Sequence, residues 1–305
     1  MQKNQKTKAW IDDFLASDPP RSKSLVMTIF GDAIVPHGGL AWTGSLIELL
    51  APFGVNDRLL RTSVFRLAQE GWLGAQRDGR RSSYAITPDA MRRFSRAFRR
   101  IYAPLTVHWH GQWTLVLAAN GLDAAERSQL RKELLWEGYS VIAPGIAGHP
   151  AGDMDALAAL LGRLDVLSKV YVVQAAEVPG LGSKALGDMV AEGWDLSEVI
   201  AGYEKFTRQF GMLPGLLAEA GEIDPEQAFV LRSLLVHAYR RVQLHDPQLP
   251  VELLPGPWPG ARAYELARQL YKVLQAPAGQ HILTTLRRED PATPEAEQGY
   301  YGRFS

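Results

Sequence analysis

The stretch that decides the fold is NDRLLRTSVFRLAQE, residues 56–70, followed directly by GWLGAQRDGRRSSYAIT, residues 71–87. Asn56 is a favourable N-cap residue, so the sequence predicts a helix from there to about Glu70. At helical spacing one face of this helix is apolar and carries Leu60, Val64, Leu67 and Ala68. The opposite face carries Arg58, Arg61, Thr62, Phe65, Arg66 and Gln69. One face is therefore expected to be buried and the other to meet a partner.

The polar face has the composition of a DNA recognition helix. Arginine pairs bidentately with guanine, and shorter polar side chains contact other base edges in the major groove. Phe65 is the exception, because an aromatic ring on this face either touches a thymine methyl group or packs beneath the hairpin that follows.

A basic hairpin is predicted after the helix. Two short strands, one ending at Arg77 and one over residues 80–87, flank Asp78-Gly79, a pair that tolerates positive φ and favours a tight turn. The tip presents four candidate DNA-binding residues, Arg77, Arg80, Arg81 and Ser82. A basic hairpin in this position is typical of a wing, which lies along phosphates or enters the minor groove.

Two helices are predicted upstream, over residues 22–34 and 42–51. In the second, Ser45 and Glu48 have the spacing of a capping box. Helix, helix, turn, recognition helix and hairpin in this order indicate a winged helix-turn-helix over residues 22–87.

The charge of the chain is zero overall but unevenly distributed. Between Arg58 and Arg100 stand eleven arginines and three acidic residues, a net charge of about +8 that indicates a polyanionic partner. The alternative is a solvated charged surface on an unrelated helical protein. Arginines of the predicted helix 89–102 either add phosphate contacts or pair with acidic residues elsewhere in the chain.

The middle of the chain alternates strands and helices. Strands near residues 113–119, 139–143 and 169–175, helices near 123–137 and 153–164, and a further short strand within 144–150 give the order β-α-β-(β)-α-β. This order suggests a small ferredoxin-like α+β domain. His108 and His110 have a possible metal-ligand spacing, but no carboxylate or thiol cluster accompanies them, so a structural role is favoured.

From Pro179 onward the sequence predicts helices over about 181–193, 195–210, 224–244 and 260–275, with an extended proline-rich connector over 246–260. The polar tail beyond Arg288 is expected to be mobile.

Several function classes are disfavoured. The chain has no cysteine, which excludes disulfides and thiolate metal sites. It lacks phosphate-binding, dinucleotide-binding, serine-hydrolase and zinc-protease motifs, so we expect no enzymatic activity, no catalytic residue and no cofactor. Without a secretory signal or a long apolar run, it is expected to be soluble and cytoplasmic.

Longer strings of the sequence resemble a known family. They include GDAIVPHGGLAWTGSL at 31–46, RTSVFRL at 61–67 and YRRVQLHDPQLPVELLPGPW at 239–258. The chain is similar, from about residue 25 to 274, to the PaaX-type repressors of phenylacetic acid catabolism.

This resemblance implies a homodimeric repressor that phenylacetyl-CoA or a related acyl-CoA releases from its DNA operator. It also implies three domains: a winged helix at 20–104, a Cas2-like ferredoxin domain at 105–178 and a helical regulatory domain at 179–290. A coenzyme A site needs cations for phosphate and an apolar slot for the acyl group. Candidate effector-binding residues are Tyr203, Arg240, Arg241 and Trp258. The alternative for these is that the arginines form internal ion pairs and Trp258 belongs to the core.

Two functions remain at this point. One is an effector-controlled repressor, and the other is a DNA-processing protein in which the Cas2-like domain hydrolyses phosphodiester bonds. The second needs a divalent metal and paired carboxylates.

Overall fold

Helices and two antiparallel sheets make up the computed structural model, which describes residues 2–103, 108–118, 121–178 and 186–304. Its helices are α1 (Gln2–Ser17), α2 (Ser22–Ile29), α3 (Thr43–Leu50), α4 (Asp57–Gln69), α5 (Pro88–Tyr102), α6 (Ala124–Trp136), α7 (Met154–Arg163), α8 (Leu186–Gly193), α9 (Ser197–Phe210), α10 (Leu213–Ala220), α11 (Pro225–Gln243), α12 (Pro259–Glu289) and α13 (Gln298–Tyr301). Its strands are β1 (Leu40–Trp42), β2 (Leu73–Asp78), β3 (Arg81–Ile86), β4 (Gln112–Ala118), β5 (Ser140–Ala143), β6 (Ile146–His149) and β7 (Val170–Ala176). The predicted α+β class is confirmed.

The chain divides into two compact units that interleave along the sequence. The first contains Met1–Pro104, Lys205–Arg241 and Ala263–Ser305, and the second contains Leu105–Glu204 and Val242–Arg262. The three consecutive domains expected from the sequence stay a prediction. Residues of the third predicted domain, 179–290, occur in both units.

In the first unit, α4 has the boundaries and the buried face that the sequence predicts. The Asn56 side chain accepts a hydrogen bond from the Leu59 backbone N–H at 2.9 Å and caps the helix. Leu60, Val64 and Leu67 are buried. The apolar stripe thus fixes which way the helix faces.

A three-stranded sheet accompanies α4, with the strand order β1-β3-β2. The sequence did not predict β1. It predicted that a helix begins at Trp42. Instead Trp42 pairs with Ser83 of β3, and α3 begins one residue later. The capping box predicted for Ser45 and Glu48 is wrong, because both residues lie inside α3. Ser45 donates a hydrogen bond to the Thr285 carbonyl oxygen at 3.4 Å, and Glu48 pairs with Arg288.

The helix predicted over residues 22–34 changes character at its end. α2 stops at Ile29, and a π-helical turn over Phe30–Ile34 continues it. Asp32, which lies in this turn, is 2% exposed. π-helical turns are frequent where a helix places a functional side chain.

The C-terminal part of the first unit is more ordered than predicted. α12 continues to Glu289, well past the predicted end near residue 275, and α1 and α10 have no counterpart among the predicted helices. The expectation of a mobile tail beyond Arg288 is wrong, since Tyr300, Arg303 and Phe304 are buried. Phe304 lies 5.1 Å from the Tyr102 ring and 5.2 Å from the Tyr271 ring, measured between centroids. Aromatic packing of this kind outweighs the polar composition of the segment.

The second unit contains the sheet β5-β6-β4-β7, and each neighbouring pair of strands is antiparallel. In the core of this unit, leucines of α6 and α7, including Leu130 and Leu160, pack with Val116 of β4. Asp123 caps α6 in a capping box with Glu126.

Gly138 ends α6 as the sequence predicts. Its φ is +90°, and a Cβ there would lie 2.7 Å from the Pro247 carbonyl oxygen, so both conformation and space require glycine. Of the predicted helix 181–193, residues 186–193 form α8, while 181–185 lie outside the described residues.

Candidate nucleic-acid interface

The polar face of α4 is open to solvent along its whole length. All six residues of this face that were predicted to contact DNA are exposed: Arg58, Arg61, Thr62, Phe65, Arg66 and Gln69. Phe65 is 60% exposed, so the alternative in which it packs beneath the hairpin is wrong. An exposed aromatic ring among arginines is suited to a thymine methyl contact, which stays a prediction.

Local contacts orient two of these side chains. Arg61 Nε lies 2.8 Å from the Asp57 carboxylate one helical turn earlier, and both groups are more than half exposed. A pair this exposed is weak, so Arg61 can exchange Asp57 for another acceptor. The Thr62 hydroxyl donates to the Arg58 carbonyl oxygen at 2.9 Å and therefore offers a partner its acceptor lone pairs.

The hairpin turns one residue later than predicted. Asp78 pairs with Arg81, which leaves Gly79 and Arg80 as the loop, and Gly79 has a φ of +58°. Arg77, Arg80 and Arg81 are exposed, whereas Ser82 is half-buried. The Ser82 carbonyl oxygen accepts a hydrogen bond from the Thr43 hydroxyl at 2.8 Å, which ties β3 to the start of α3.

Arg81 already has partners within the chain. Its Nη2 atom donates to the Glu289 carboxylate at 2.5 Å, and its guanidinium carbon lies 4.2 Å from the centre of the Trp42 ring. Sequence reasoning missed Glu289, because it stands 208 positions away in a segment for which no structure was expected. In α5, the guanidinium carbon of Arg93 lies 5.5 Å from the centre of the Trp72 ring.

The four candidate effector residues are divided between the two units. In the second unit, Tyr203 is fully buried and its hydroxyl donates to the Asp246 carboxylate at 2.6 Å. The Trp258 ring lies edge-on to the Tyr203 ring with centroids 5.9 Å apart, and Trp258 packs on an apolar cluster that includes Trp113 and Trp194. These contacts support the interpretation of Trp258 as a core residue.

Arg240 and Arg241 lie in the first unit, at the end of α11. Arg240 is mostly buried and donates to the Ser24 carbonyl oxygen at 3.1 Å and to the Ser24 hydroxyl at 2.9 Å. Burial lowers the pKa of Arg240 to about 10. Arg241 is exposed. Their assignment to an effector site stays a prediction.

The described residues show neither a metal-binding cluster nor a membrane-spanning helix. Among them, no three His, Cys, Asp or Glu side chains are grouped so that they could hold a metal ion. His108 faces the Glu252 carboxylate at 3.2 Å, and the two do not belong to a larger cluster in the described ranges. In the same ranges, no helix has both the length and the apolar character that crossing a membrane requires.

Comparison with known proteins connects this geometry to a family. The family model described as "PaaX-like protein" matches residues 21–90, and the one described as "PaaX-like protein C-terminal domain" matches residues 194–284. The transcriptional repressor PaaX of Escherichia coli (strain K12) is 39% identical over 255 residues, which is 83% of this chain and 80% of the relative.

The chain belongs to the PaaX family. The resemblance seen in the sequence is confirmed, and so is the expectation of a transcription regulator. A solved structure, the uncharacterized protein Rv0674 of Mycobacterium tuberculosis, is also similar. It shares 27% identity with a TM-score of 0.51, and the match covers 84% of this chain and 98% of that one.

Proposed function

We propose that this PaaX family member represses transcription by binding a specific DNA operator through α4 and the β2-β3 hairpin. The observation that carries the proposal is the exposed face of α4, where Arg58, Arg61 and Arg66 stand free of the core on a helix held by its opposite side. The hairpin adds exposed arginines next to it in the chain. An arginine-rich helix followed by a basic hairpin supplies base contacts and phosphate contacts together.

At the level of domains, we propose that residues 22–87 form a winged helix-turn-helix. The order α2, α3, α4 and hairpin supports this, with β1 as the third strand. For residues 105–178 we propose a Cas2-like ferredoxin domain, supported by the order β-α-β-β-α-β and by a sheet in which the first and last of its strands are neighbours. The protein would act in the cytoplasm, where it would bind chromosomal DNA.

The family resemblance supports a proposal about the regulated genes and the signal. We propose that a homodimer controls genes of phenylacetate breakdown and that phenylacetyl-CoA releases it from DNA. Release requires the effector to bind the DNA-free state more tightly than the DNA-bound state. Tyr203, Arg240, Arg241 and Trp258 remain the candidate effector contacts. Arg241 is the exposed cation among them and is the one suited to a coenzyme A phosphate.

A gel-shift titration tests the proposal. The probe is the labelled promoter region of the phenylacetate breakdown genes of the same genome, with a scrambled duplex of equal length as the control. We expect a shift of the promoter probe that phenylacetyl-CoA reverses, while free coenzyme A and acetyl-CoA do not. A shift that no acyl-CoA reverses would leave a repressor with another effector, and equal binding to both duplexes would remove operator specificity.

The same labelled promoter duplex, incubated with the protein, tests the DNA-processing alternative. With magnesium present, we expect the labelled duplex to remain intact, because the described residues offer no carboxylate cluster for a metal. Cleavage that chelation with EDTA abolishes would overturn a purely regulatory function. A thermal-shift screen of acyl-CoA thioesters provides a second readout of the effector, since a ligand of the native state raises the melting temperature.

A further inference from the structure

Glu289, the last residue of α12, contacts the predicted DNA-binding surface from within the chain. Its carboxylate accepts a hydrogen bond from Arg81 Nη2 at 2.5 Å, and its backbone carbonyl oxygen accepts one from the same nitrogen at 2.8 Å. The Trp42 ring supports the guanidinium from one side at 4.2 Å. Two acceptors and an aromatic face therefore hold the arginine that was expected to bind DNA phosphate.

The end of α12 is attached to the helix-turn-helix region at a second point. Arg288 pairs with Glu48 of α3. The Glu289 carboxylate also lies close to the start of α3, because a Cβ on Gly44 would collide with Glu289 Oε1. Glycine at this position therefore leaves the space that the carboxylate occupies.

We propose that Glu289 competes with DNA phosphate for Arg81, so that Arg81 binds DNA only when the end of α12 gives up this contact. Carboxylate and phosphate accept hydrogen bonds from the same fork of guanidinium donors. A phosphate approaching Arg81 with Glu289 in place would also meet a negative charge at short range. The inference rests on the proposed DNA-binding function and assigns to it an internal inhibitory contact.

The contact is weak enough to exchange. The side chain of Arg81 is 50% exposed and that of Glu289 is 36% exposed, so solvent and salt screen their attraction. DNA binding and the position of the α12 end are then coupled, and the coupling acts in both directions. A signal that moves the end of α12 would change the positive charge offered to DNA.

Glu289→Gln tests the competition, with Glu295→Gln as the matched control. Glu295 also pairs with an arginine, Arg287, so both variants remove one negative charge but only the first frees Arg81. The probe is a fluorescein-labelled duplex of mixed sequence spanning several helical turns, measured by anisotropy at low salt. We expect Glu289→Gln to bind roughly two- to fivefold more tightly, the range for loss of one exposed ion pair. Glu295→Gln should bind as the unmodified chain does.

A double-mutant cycle with Arg81→Ala identifies the route of the effect. If Glu289 acts by holding Arg81, the gain from Glu289→Gln disappears in the Arg81→Ala background. A gain that persists there would show general repulsion of DNA and overturn the proposal, as would unchanged or weaker binding by Glu289→Gln alone. Glu289→Ala provides a second variant, and the melting temperature of each confirms that it is folded. If the unmodified chain binds no duplex, the proposed DNA-binding function is wrong. The proposed competition between Glu289 and phosphate is then wrong as well.

Discussion

Asp32 is the residue on which the interior of the first unit depends. Its buried carboxylate accepts hydrogen bonds from Arg232 Nε at 2.9 Å, Arg303 Nη1 at 2.9 Å and the Tyr102 hydroxyl at 2.6 Å. The Tyr271 hydroxyl adds another at 3.0 Å. Burial alone would raise the pKa of Asp32, but the two arginines outweigh it and the pKa lies below its ordinary value.

Two buried cations share this one carboxylate, and aromatic rings surround the second of them. The guanidinium carbon of Arg303 lies 4.2 Å from the Phe98 ring, 4.7 Å from the Tyr102 ring and 4.9 Å from the Tyr300 ring. Negative ring faces attract a desolvated cation and offset part of the cost of burying it. Tyr300, Arg303 and Phe304 near the end of the chain are thus a buried anchor, with Arg303 at its centre.

We predict that Asp32→Asn destabilises the protein by about 3–5 kcal/mol, because it leaves buried cations without their counter-charge. Chemical denaturation followed by circular dichroism measures the change. Asp13→Asn, an exposed residue of α1, is the control and should shift the free energy of unfolding by less than about 0.5 kcal/mol. Equal stability of both variants would show that the network contributes little.

His237 of α11 predicts how stability depends on pH. Burial lowers its pKa from 6.5 to about 3, and the nearby charges of Arg240 and Arg241 act in the same direction. Its Nδ1 lies 3.0 Å from the Thr28 hydroxyl oxygen, and that hydroxyl donates its proton to the Ser24 carbonyl oxygen. The neutral ring with a proton on Nδ1 satisfies this arrangement.

Below pH 6.5 the unfolded chain binds a proton at His237 that the folded chain does not, so folding stability should fall as the pH falls towards about 3. The slope from this residue is at most ~1.4 kcal/mol per pH unit. Comparing denaturation of the unmodified chain and His237→Gln between pH 7 and 5 measures it. The variant should show the shallower pH dependence, whatever its stability at pH 7. Equal slopes would assign the pH dependence to other groups.

At the scale of elements, α4 and the hairpin have different expected roles on DNA. Arg61→Ala on α4 should weaken operator binding by ~1–3 kcal/mol while leaving binding to scrambled duplex nearly unchanged, if Arg61 contacts a base. Arg80→Ala in the hairpin loop should weaken both and reduce the slope of log affinity against log salt by about 0.9. Anisotropy titrations at several salt concentrations measure both. An unaltered operator affinity in Arg61→Ala would show that α4 meets DNA in another orientation.

These two elements were predictable because their signals are local. The stripe of Leu60, Val64 and Leu67, the N-cap Asn56 and the glycine of the hairpin act within one or two turns of chain. β1 was not predictable in this way. Trp42 has helix on one side of it in the sequence, and only pairing with Ser83, far along the chain, makes it a strand residue.

At the scale of the whole molecule, the C-terminal segment decides how much of the first unit is stable. A chain that ends after Glu297 loses Tyr300, Arg303 and Phe304 from the interior. Burial of one large aromatic side chain is worth about 1.5–3 kcal/mol, so we predict a loss of at least ~3 kcal/mol and a lower melting temperature. Tyr301→Ala is the control, since Tyr301 is 59% exposed in the same segment. Similar melting temperatures for the truncated and the full chain would show that the segment is dispensable.

The sequence by itself determined the class of the fold, the two faces of α4, the basic hairpin and the relation to the PaaX family. Periodicity, capping and turn preferences are properties of neighbouring residues. They therefore do not depend on where the segment lies in the folded protein. Only the tertiary structure decided which charges are paired. Asp32 meets Arg232 and Arg303 across 200 and 271 positions, and Arg81 meets Glu289 across 208. Pairing between residues so far apart in the sequence depends on how the helices pack. The sequence alone does not show whether an arginine binds DNA, an internal carboxylate or an aromatic face.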